Sequence, residues 1–163
     1  MNEQELRVRS QLIPLHNLRL VLPNTAIAEV ISYQKPHTVD DAPQWLGGFI
    51  GWRGLSIPLI RFETAALNEI PDIHRRSRVI VLNALNGSDT LPFYAILAQG
   101  IPRLMHLDSS NILDAPNAET EQPFVLREVL VEGHPAVIPN QKVLEAAMSE
   151  LGLSISHEHA HAV

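Results

Sequence analysis

The chain has 163 residues, of which 45% are hydrophobic and 18% charged, so it can bury a real core and should not be disordered. Its formal net charge of −6 argues against a nucleic-acid binder and against electrostatic docking on an anionic membrane. It contains no cysteine, which excludes disulfides, thiolate catalysis and zinc–thiolate sites.

The N-terminus is polar and no long apolar run occurs, so we expect neither a signal peptide nor a membrane-inserted segment. A cysteine-free chain of this composition fits the cytoplasm. Residues 1–15 are expected to form a flexible N-terminal segment, ahead of a folded domain over residues 16–153.

Short β-branched runs separated by turn residues dominate the first half and predict strands. They lie at residues 18–22, 26–31 and 55–62, with a polar loop over 32–43 and a short helix over 63–69. Residues 45–51 predict a turn of helix followed by a strand. Pro58 cannot donate to a β-ladder, so its strand should have a free edge or a bulge there.

The second half continues the pattern and ends in a helix. Strands are predicted at residues 77–85, 91–98, 101–107, 124–132 and 136–138, with an exposed loop over 108–122. Apolar residues at helical spacing predict a helix over 141–151, with Asn140 as its N-cap and Gly152 just past its end. Residues 154–163 form a histidine-containing tail that is expected to fray.

The predicted count is about nine strands and two or three helices, so the fold class is mainly β. Because one small barrel uses fewer strands than this, the sequence predicts two small barrels packed together.

No pattern typical of an enzyme or a cofactor site is present. The acidic residues are scattered, and no nucleophile elbow, phosphate loop or metalloprotease helix occurs. The glycines of residues 47–51 lack the spacing of a dinucleotide-binding loop. We therefore expect a non-catalytic protein without a cofactor.

Three histidines alternate in the tail: His157, His159 and His161. In an extended chain they would share one side and bind a divalent metal weakly. A solvated tail is the favoured interpretation, because metal binding would have to order three flexible ligands. The sequence therefore predicts no metal site.

The segment over residues 45–62 contains both tryptophans of the chain, four glycines and Arg53. In one interpretation Trp45 and Trp52 are core residues and the glycines allow close backbone approach. In the other, one tryptophan and Arg53 face outward, as residues that dominate protein–protein contacts do. Composition alone does not decide between them.

Residues 45–60 resemble the signature of the CheW-like domain family, in which a glycine and hydrophobic residues lead to a strand ending in Leu-Arg-Gly and then to an apolar strand containing proline. The matching positions are Gly48, Arg53, Gly54 and Pro58, with Pro43 ahead of them. Residues 28–31 resemble the family's Val-x-Glu-Val/Ile strand, and the resemblance extends over about residues 16–151.

Three departures mark a divergent member. Arg61-Phe62-Glu63 stands where the family usually has Asp-Leu-Arg, with the charges reversed. Residues 98–101 replace a Val-Asp-x-Val element, and Trp52 replaces an aliphatic residue.

The resemblance implies two five-stranded SH3-like barrels around a shared core, without catalysis. It also implies a scaffold that couples the cytoplasmic tip of a methyl-accepting chemoreceptor to the regulatory domain of a CheA-like histidine kinase. The pathway would be chemotaxis-like or would control type IV pili and twitching motility.

On this resemblance, Glu29, Val30, Arg53 and Gly54 are the candidate partner-binding residues, and Pro43, Gly48 and Pro58 are structural. Gly48 and Gly54 would set backbone conformations that a Cβ would obstruct. For Arg53, an internal salt bridge to a nearby acid is the alternative to a partner contact.

Two other hypotheses stay open. One is a small enzyme or ligand-binding barrel with a pocket near Trp45, Trp52 and His106. The other is a specialised adaptor that binds either receptor or kinase but not both.

Overall fold

The structure, a computed structural model, describes residues 7–85, 89–153 and 156–157. Within these residues the strands, in chain order, are β1 (Val8–Leu15), β2 (Leu18–Pro23), β3 (Ile27–Ser32), β4 (Leu46–Trp52), β5 (Leu55–Ile60), β6 (Arg78–Asn83), β7 (Phe93–Ala98), β8 (Arg103–Leu107), β9 (Ile112–Asp114), β10 (Val125–Val131), β11 (His134–Pro139) and β12 (Ser156–His157). The α-helices are α1 (Phe62–Leu67) and α2 (Gln141–Glu150).

The strands form two sheets that curl into barrels. Barrel 1 has the order β8-β1-β2-β11-β10-β9. Barrel 2 has the order β12-β5-β7-β6-β3, and β4 pairs with β5. Each sheet joins strands from both halves of the chain, through a parallel pairing of β11 with β2 and of β5 with β7. The predicted mainly β, double-barrel fold class is confirmed, with six strands in each sheet instead of five.

The described residues form three hydrophobic clusters, one of which joins the two barrels. The alternation of side chains along β6 shows how: Val79 and Val81 pack inside barrel 2, whereas Ile80 and Leu82 pack into a core shared with barrel 1. A third cluster, which includes Leu12 and Val21, fills barrel 1. Strands buried on both faces need continuous apolar runs, which explains the unbroken run of β6.

The expectation of a flexible segment over residues 1–15 is wrong for Val8–Leu15. These residues form β1, which pairs with β2 on one side and β8 on the other. Ile13 is fully buried in the shared core. Because the strand begins with polar residues and contains Pro14, its alternation of buried and exposed side chains is hard to recognise in the sequence.

Two further differences concern short elements. Strand β9 lies inside the predicted loop over 108–122 and pairs with β10 at the edge of barrel 1. No helical turn precedes β4; instead a turn closed by the bond from Leu46 N to the Pro43 carbonyl, 3.0 Å, leads into it. Three-residue strands and single turns carry little periodicity, so sequence alone does not define them.

The predicted ends of α2 are confirmed. The Asn140 side chain accepts a hydrogen bond from Val143 N at 3.2 Å, which satisfies a backbone donor of the first turn. Gly152 follows the helix with a φ of 73°. Helix α2 has ten residues, and nowhere in the described parts of the chain is there a helix with the length and apolar character needed to span a bilayer.

Among the described residues, no strand is paired with β5 at Pro58 on the side away from β4. On one side β5 pairs with β4 along its whole length. On the other side it pairs with β12 up to Ser56 and with β7 only from Leu59 onward. In the part of the chain that is described, Pro58 falls between these two partners, which agrees with the predicted free edge.

Only part of the C-terminal tail is described. Ser156 and His157 form β12 beside β5, and the predicted positions His159 and His161 lie outside the described residues. Over residues 7–85, 89–153 and 156–157, no group of three or more His, Cys, Asp or Glu residues is placed to hold a metal ion.

The barrels also meet through carboxylates of α1 and the residues after it. Glu63 is fully buried, and its Oε2 accepts a hydrogen bond from His16 N at 2.9 Å, in the turn between β1 and β2. Glu69 accepts from the neighbouring Asn17 amide at 3.2 Å. Glu63 Oε1 is buried and has no partner among the described residues. Burial raises the pKa of Glu63 above its usual value, against a smaller lowering by its hydrogen bonds and by His16.

We expect Glu63 to make the unfolding free energy depend on pH. Because its pKa is higher in the folded than in the unfolded state, the carboxyl stabilises the fold below pH about 4.5, and this contribution is lost as the pH rises through the folded pKa. In Glu63→Gln the side chain resembles the protonated acid at every pH. The melting temperature of wild type minus that of Glu63→Gln should therefore fall as the pH rises from about 4.5 to neutral.

Thermal unfolding of both proteins across this range measures that difference. Glu69→Gln is the matched control, because Glu69 belongs to the same inter-barrel contact but is only partly buried. A melting-temperature difference that rises with pH for Glu63→Gln would contradict the assignment.

Candidate partner-binding site

The hairpin turn between β4 and β5 has an unusual backbone conformation. Trp52 pairs with Leu55, so the turn consists of Arg53 and Gly54 alone. Both have positive φ, 48° at Arg53 and 76° at Gly54. Such a turn matches the twist of the strands and normally has Asn or Asp at its first position. An arginine held there is strained, and strained residues concentrate at functional sites.

Arg53 belongs to a cluster with Glu29 and Trp52. Its Nη2 lies 3.0 Å from Glu29 Oε1, and its Cζ lies 4.9 Å from the centroid of the Trp52 ring. The Trp52 indole N–H donates to the same Glu29 oxygen at 3.0 Å. The carboxylate thus fixes the indole and the guanidinium together. The sequence does not indicate this pairing, because Glu29 and Trp52 are 23 residues apart.

The cluster lies at one end of a seam between β3 and β4, which do not pair as strands. The Gln34 side chain fills part of this seam, because its amide donates to the Gly51 carbonyl at 2.8 Å and accepts from Gly51 N at 3.0 Å. Further along, His37 and Phe49 exchange two backbone hydrogen bonds of 2.8 Å. The side-chain amide of Gln34 and this backbone bridge therefore complete the closure of barrel 2. Gln34 belongs to no sequence motif, so its role was not predicted.

The outer side of the cluster faces solvent. The Arg53 side chain is 66% exposed and that of Glu29 39% exposed, whereas Trp52 is buried against Phe93. An exposed ion pair of this kind contributes about 0.2–1 kcal/mol to stability. Since Arg53 bonds to Glu29 through one nitrogen in this pair, most of its donor fork stays accessible to a partner.

The structure separates Val30 from the other candidate partner-binding residues. Side chains alternate along a strand, so Val30 lies on the face of β3 opposite to Glu29. It is 37% exposed there. The structure thus brings Glu29, Arg53 and Gly54 together and leaves Val30 on a different surface.

Gly48 and Gly54 differ in what a side chain would meet. At Gly48, φ is 130° and a Cβ would lie 2.2 Å from the His37 carbonyl oxygen. At Gly54 no heavy atom lies within 4 Å of a Cβ, so only its positive φ favours glycine. Gly48 lies at a bulge of β4, where the backbone passes directly under the segment at His37.

The three residues of the pocket hypothesis lie in different parts of the molecule. Trp45 packs on the shared core against Phe124, with ring centroids 6.0 Å apart. Trp52 belongs to the core of barrel 2. His106 is exposed on β8 of barrel 1. The structure does not bring these three side chains together.

Two curled sheets, each with its own core and joined by a common one, define the class of the protein as a double-barrel β domain. Its exposed hairpin is built from an Arg-Gly turn and the glutamate of a neighbouring strand.

The model of the CheW-like domain matches residues 6–147, and the chain belongs to this family. Among solved structures, the scaffolding protein TtCheW from Thermoanaerobacter tengcongensis matches with a TM-score of 0.68 and 17% sequence identity. The match covers 83% of this chain and 85% of that one, and at this identity it shows a common fold. No curated protein matches the sequence.

Proposed function

We propose that this chain is a cytoplasmic, non-catalytic scaffold that couples the cytoplasmic tip of a methyl-accepting chemoreceptor to the regulatory domain of a CheA-like histidine kinase. Membership in the CheW-like domain family supports the class of function. The cluster of Glu29, Trp52 and Arg53 at the hairpin of barrel 2 is the observation that supports particular residues as the binding site. The outer side of this cluster, formed by Glu29 and Arg53, is exposed.

Arg53 is the central residue of the proposed contact. Its guanidinium is held by a carboxylate and by an aromatic face, so its orientation is fixed before a partner binds. A preoriented arginine loses less side-chain entropy on binding, and its free donors can bond two oxygens of a partner at once. Gly54 beside it adopts the positive φ that this two-residue turn requires. Val30, on the other face of β3, is proposed as part of a separate contact.

The coupling would serve a chemotaxis-like pathway or one that controls type IV pili and twitching motility. The departures from the family pattern at Arg61-Phe62-Glu63 are consistent with a specialised choice of partner. The pocket hypothesis has no comparable support, because its three residues lie apart.

We expect Arg53→Ala to weaken binding of the contacted partner about tenfold, as loss of an arginine anchor at an interface does, while the melting temperature stays within about 2 °C because an exposed ion pair adds little stability. Calorimetric titration of the protein with a receptor cytoplasmic fragment and, separately, with a kinase regulatory domain measures both affinities.

Arg103→Ala is the matched control, because Arg103 on β8 makes a similarly exposed ion pair of 2.9 Å with Glu132, which lies in the β10–β11 hairpin of barrel 1. It should bind both fragments like wild type. If wild type binds neither fragment, the coupling function is wrong; if it binds and Arg53→Ala binds equally well, the function stands and the site is wrong. Binding of one fragment alone identifies the specialised adaptor.

A further inference from the structure

The chain between α1 and β6 makes a tight turn that presents two arginines. Ser77 N donates to the His74 carbonyl at 2.9 Å, so Arg75 and Arg76 are the two central residues of a β-turn. The hydroxyl of the buried Ser77 accepts from His74 N at 3.0 Å, and the ring nitrogen Nδ1 of His74 accepts from Arg76 N at 3.1 Å. These bonds fix the backbone of the turn, while both arginines are exposed.

A third arginine lies at the same turn. Arg78 Nη1 donates to the carbonyls of Arg75 and Ser77 at 3.1 and 2.9 Å, so its guanidinium folds back onto the turn. These two bonds leave the other donors of its fork unused. Backbone carbonyls carry no net charge, so the positive charge of Arg78 is not neutralised by them. Arg75, Arg76 and Arg78, here called the arginine turn, thus place three guanidinium groups within four residues.

The arginine turn is anchored to the rest of the molecule through His74. Because Nδ1 of His74 accepts a bond, the neutral ring carries its proton on Nε2, which donates to Gln99 Oε1 at 2.8 Å. Gln99 Nε2 donates to the Asp72 carbonyl at 3.1 Å, and Gln99 N donates to the Pro14 carbonyl of β1 at 2.8 Å. The turn is therefore held against both barrels before any ligand binds.

The fold itself does not account for these charges. Charged side chains often protect the exposed edge of a sheet. However, β6, which begins at Arg78, is an interior strand, paired with β3 at Ser32 and with β7 at Ala98. None of the four ion pairs in the described part of the chain includes the arginine turn, not even with Asp72 shortly before it. Edge protection and internal ion pairing therefore both fail as explanations.

An acidic peptide segment is the complement of this turn. Three like charges repel one another within a short segment, and a bound anion relieves that repulsion. Guanidinium groups bond carboxylates through two parallel hydrogen bonds. Because the arginines spread over an exposed turn, they fit a series of carboxylates along an extended chain better than one small anion. The formal net charge of −6 disfavours docking of the whole protein on an anionic membrane.

We propose that the arginine turn is a docking site for an acidic, extended segment of a protein partner, whose carboxylates bind the three guanidinium groups. Such a contact is mainly electrostatic, so it speeds association and weakens as the salt concentration rises. The arginine turn shares no residue with the cluster of Glu29, Trp52 and Arg53. The site therefore goes beyond the proposed coupling contact and does not depend on it.

A blocked hexaglutamate peptide, titrated into the full chain and followed by NMR, tests the proposal. We expect the amide signals of residues 75–78 to shift on binding. The combined variant Arg75→Glu and Arg76→Glu should bind the peptide about tenfold more weakly or worse, because like charges then face each other. Its fold should be kept, since both side chains are exposed. The matched control combines Arg9→Glu and Lys142→Glu, which make the same change of net charge at exposed positions of β1 and α2, and it should bind like wild type.

Inorganic phosphate and vesicles that contain phosphatidylserine serve as the competing anionic probes. The peptide should bind more tightly than either, and its affinity should fall when the salt concentration rises from about 0.02 M to about 0.5 M. Absence of peptide binding, an equal loss in the control variant, or a preference for phosphate or vesicles over the peptide would each overturn the proposal. No receptor or kinase fragment is used, so this outcome is separate from that of the coupling function.

Discussion

Gly48→Ala is expected to lower the unfolding free energy by about 3 kcal/mol or more, because positive-φ strain and overpacking each cost about 1–3 kcal/mol. The new Cβ would lie 2.2 Å from the His37 carbonyl oxygen and 2.7 Å from its carbon. That carbonyl is held in place, because it accepts a 2.8 Å hydrogen bond from Phe49 N. Neither backbone segment can move without breaking the closure of barrel 2. Urea unfolding followed by tryptophan fluorescence measures the loss.

Gly133→Ala separates the two causes. Gly133 has a φ of 79° in the hairpin turn between β10 and β11, and no heavy atom lies within 4 Å of its Cβ position. Its unfolding free energy should fall only by the cost of holding alanine in a left-handed conformation, about 1 kcal/mol. Equal losses in the two variants would show that the contact with His37 is not what requires glycine at Gly48.

The fold could be predicted from the sequence at strand β6, because its two faces pack into two different cores. The run of β6 is apolar on both faces because Val79 and Val81 fill barrel 2 while Ile80 and Leu82 fill the shared core. Such a run with turn residues on both sides predicts a buried strand with little ambiguity. Strand β1 was not predicted, because its polar start and Pro14 are typical of an unpaired segment. Ile13 in this strand is nevertheless fully buried.

The candidate site was predictable only as separate motifs. Glu29 and Arg53 each stand out through the family resemblance, but the contact between them depends on how barrel 2 closes. Gln34 belongs to no motif, and its two bonds to Gly51 arise because a side-chain amide has the same donor and acceptor as a backbone peptide group. Pairings made across a seam between strands leave no periodic trace in the sequence.

The stability of the fold and the chemistry of the candidate site depend largely on different groups. The Glu29–Arg53 pair is exposed and its removal costs the fold little. The groups whose loss should be severe lie at the close backbone contact between Gly48 and His37 and in the buried core. Residues of the hairpin are therefore free to change with the partner, whereas Gly48 and the buried polar groups are not.

Glu145→Ala is expected to cost about 3 kcal/mol, because each buried polar group left without a partner costs about 1–3 kcal/mol. Glu145 is buried on α2 and accepts hydrogen bonds from Leu85 N at 3.0 and 3.1 Å. The Tyr94 hydroxyl donates to it at 3.2 Å and accepts from the Gln141 amide at 2.9 Å. Burial raises the pKa of Tyr94 far above its usual value, so the hydroxyl stays a donor. The carboxylate thus fastens α2 to β7 and to the chain after β6.

Three variants measured by urea unfolding distinguish this network from the charge alone. Glu150→Ala removes an exposed carboxylate from the same helix and should change the unfolding free energy by about 0.5 kcal/mol or less. Tyr94→Phe should cost about 1–3 kcal/mol, because it leaves the Gln141 amide without its acceptor. The double variant with Glu145→Ala should lose less than the sum of the two single losses, since the bond between Tyr94 and Glu145 can be broken only once. Strict additivity would mean that the two side chains act independently.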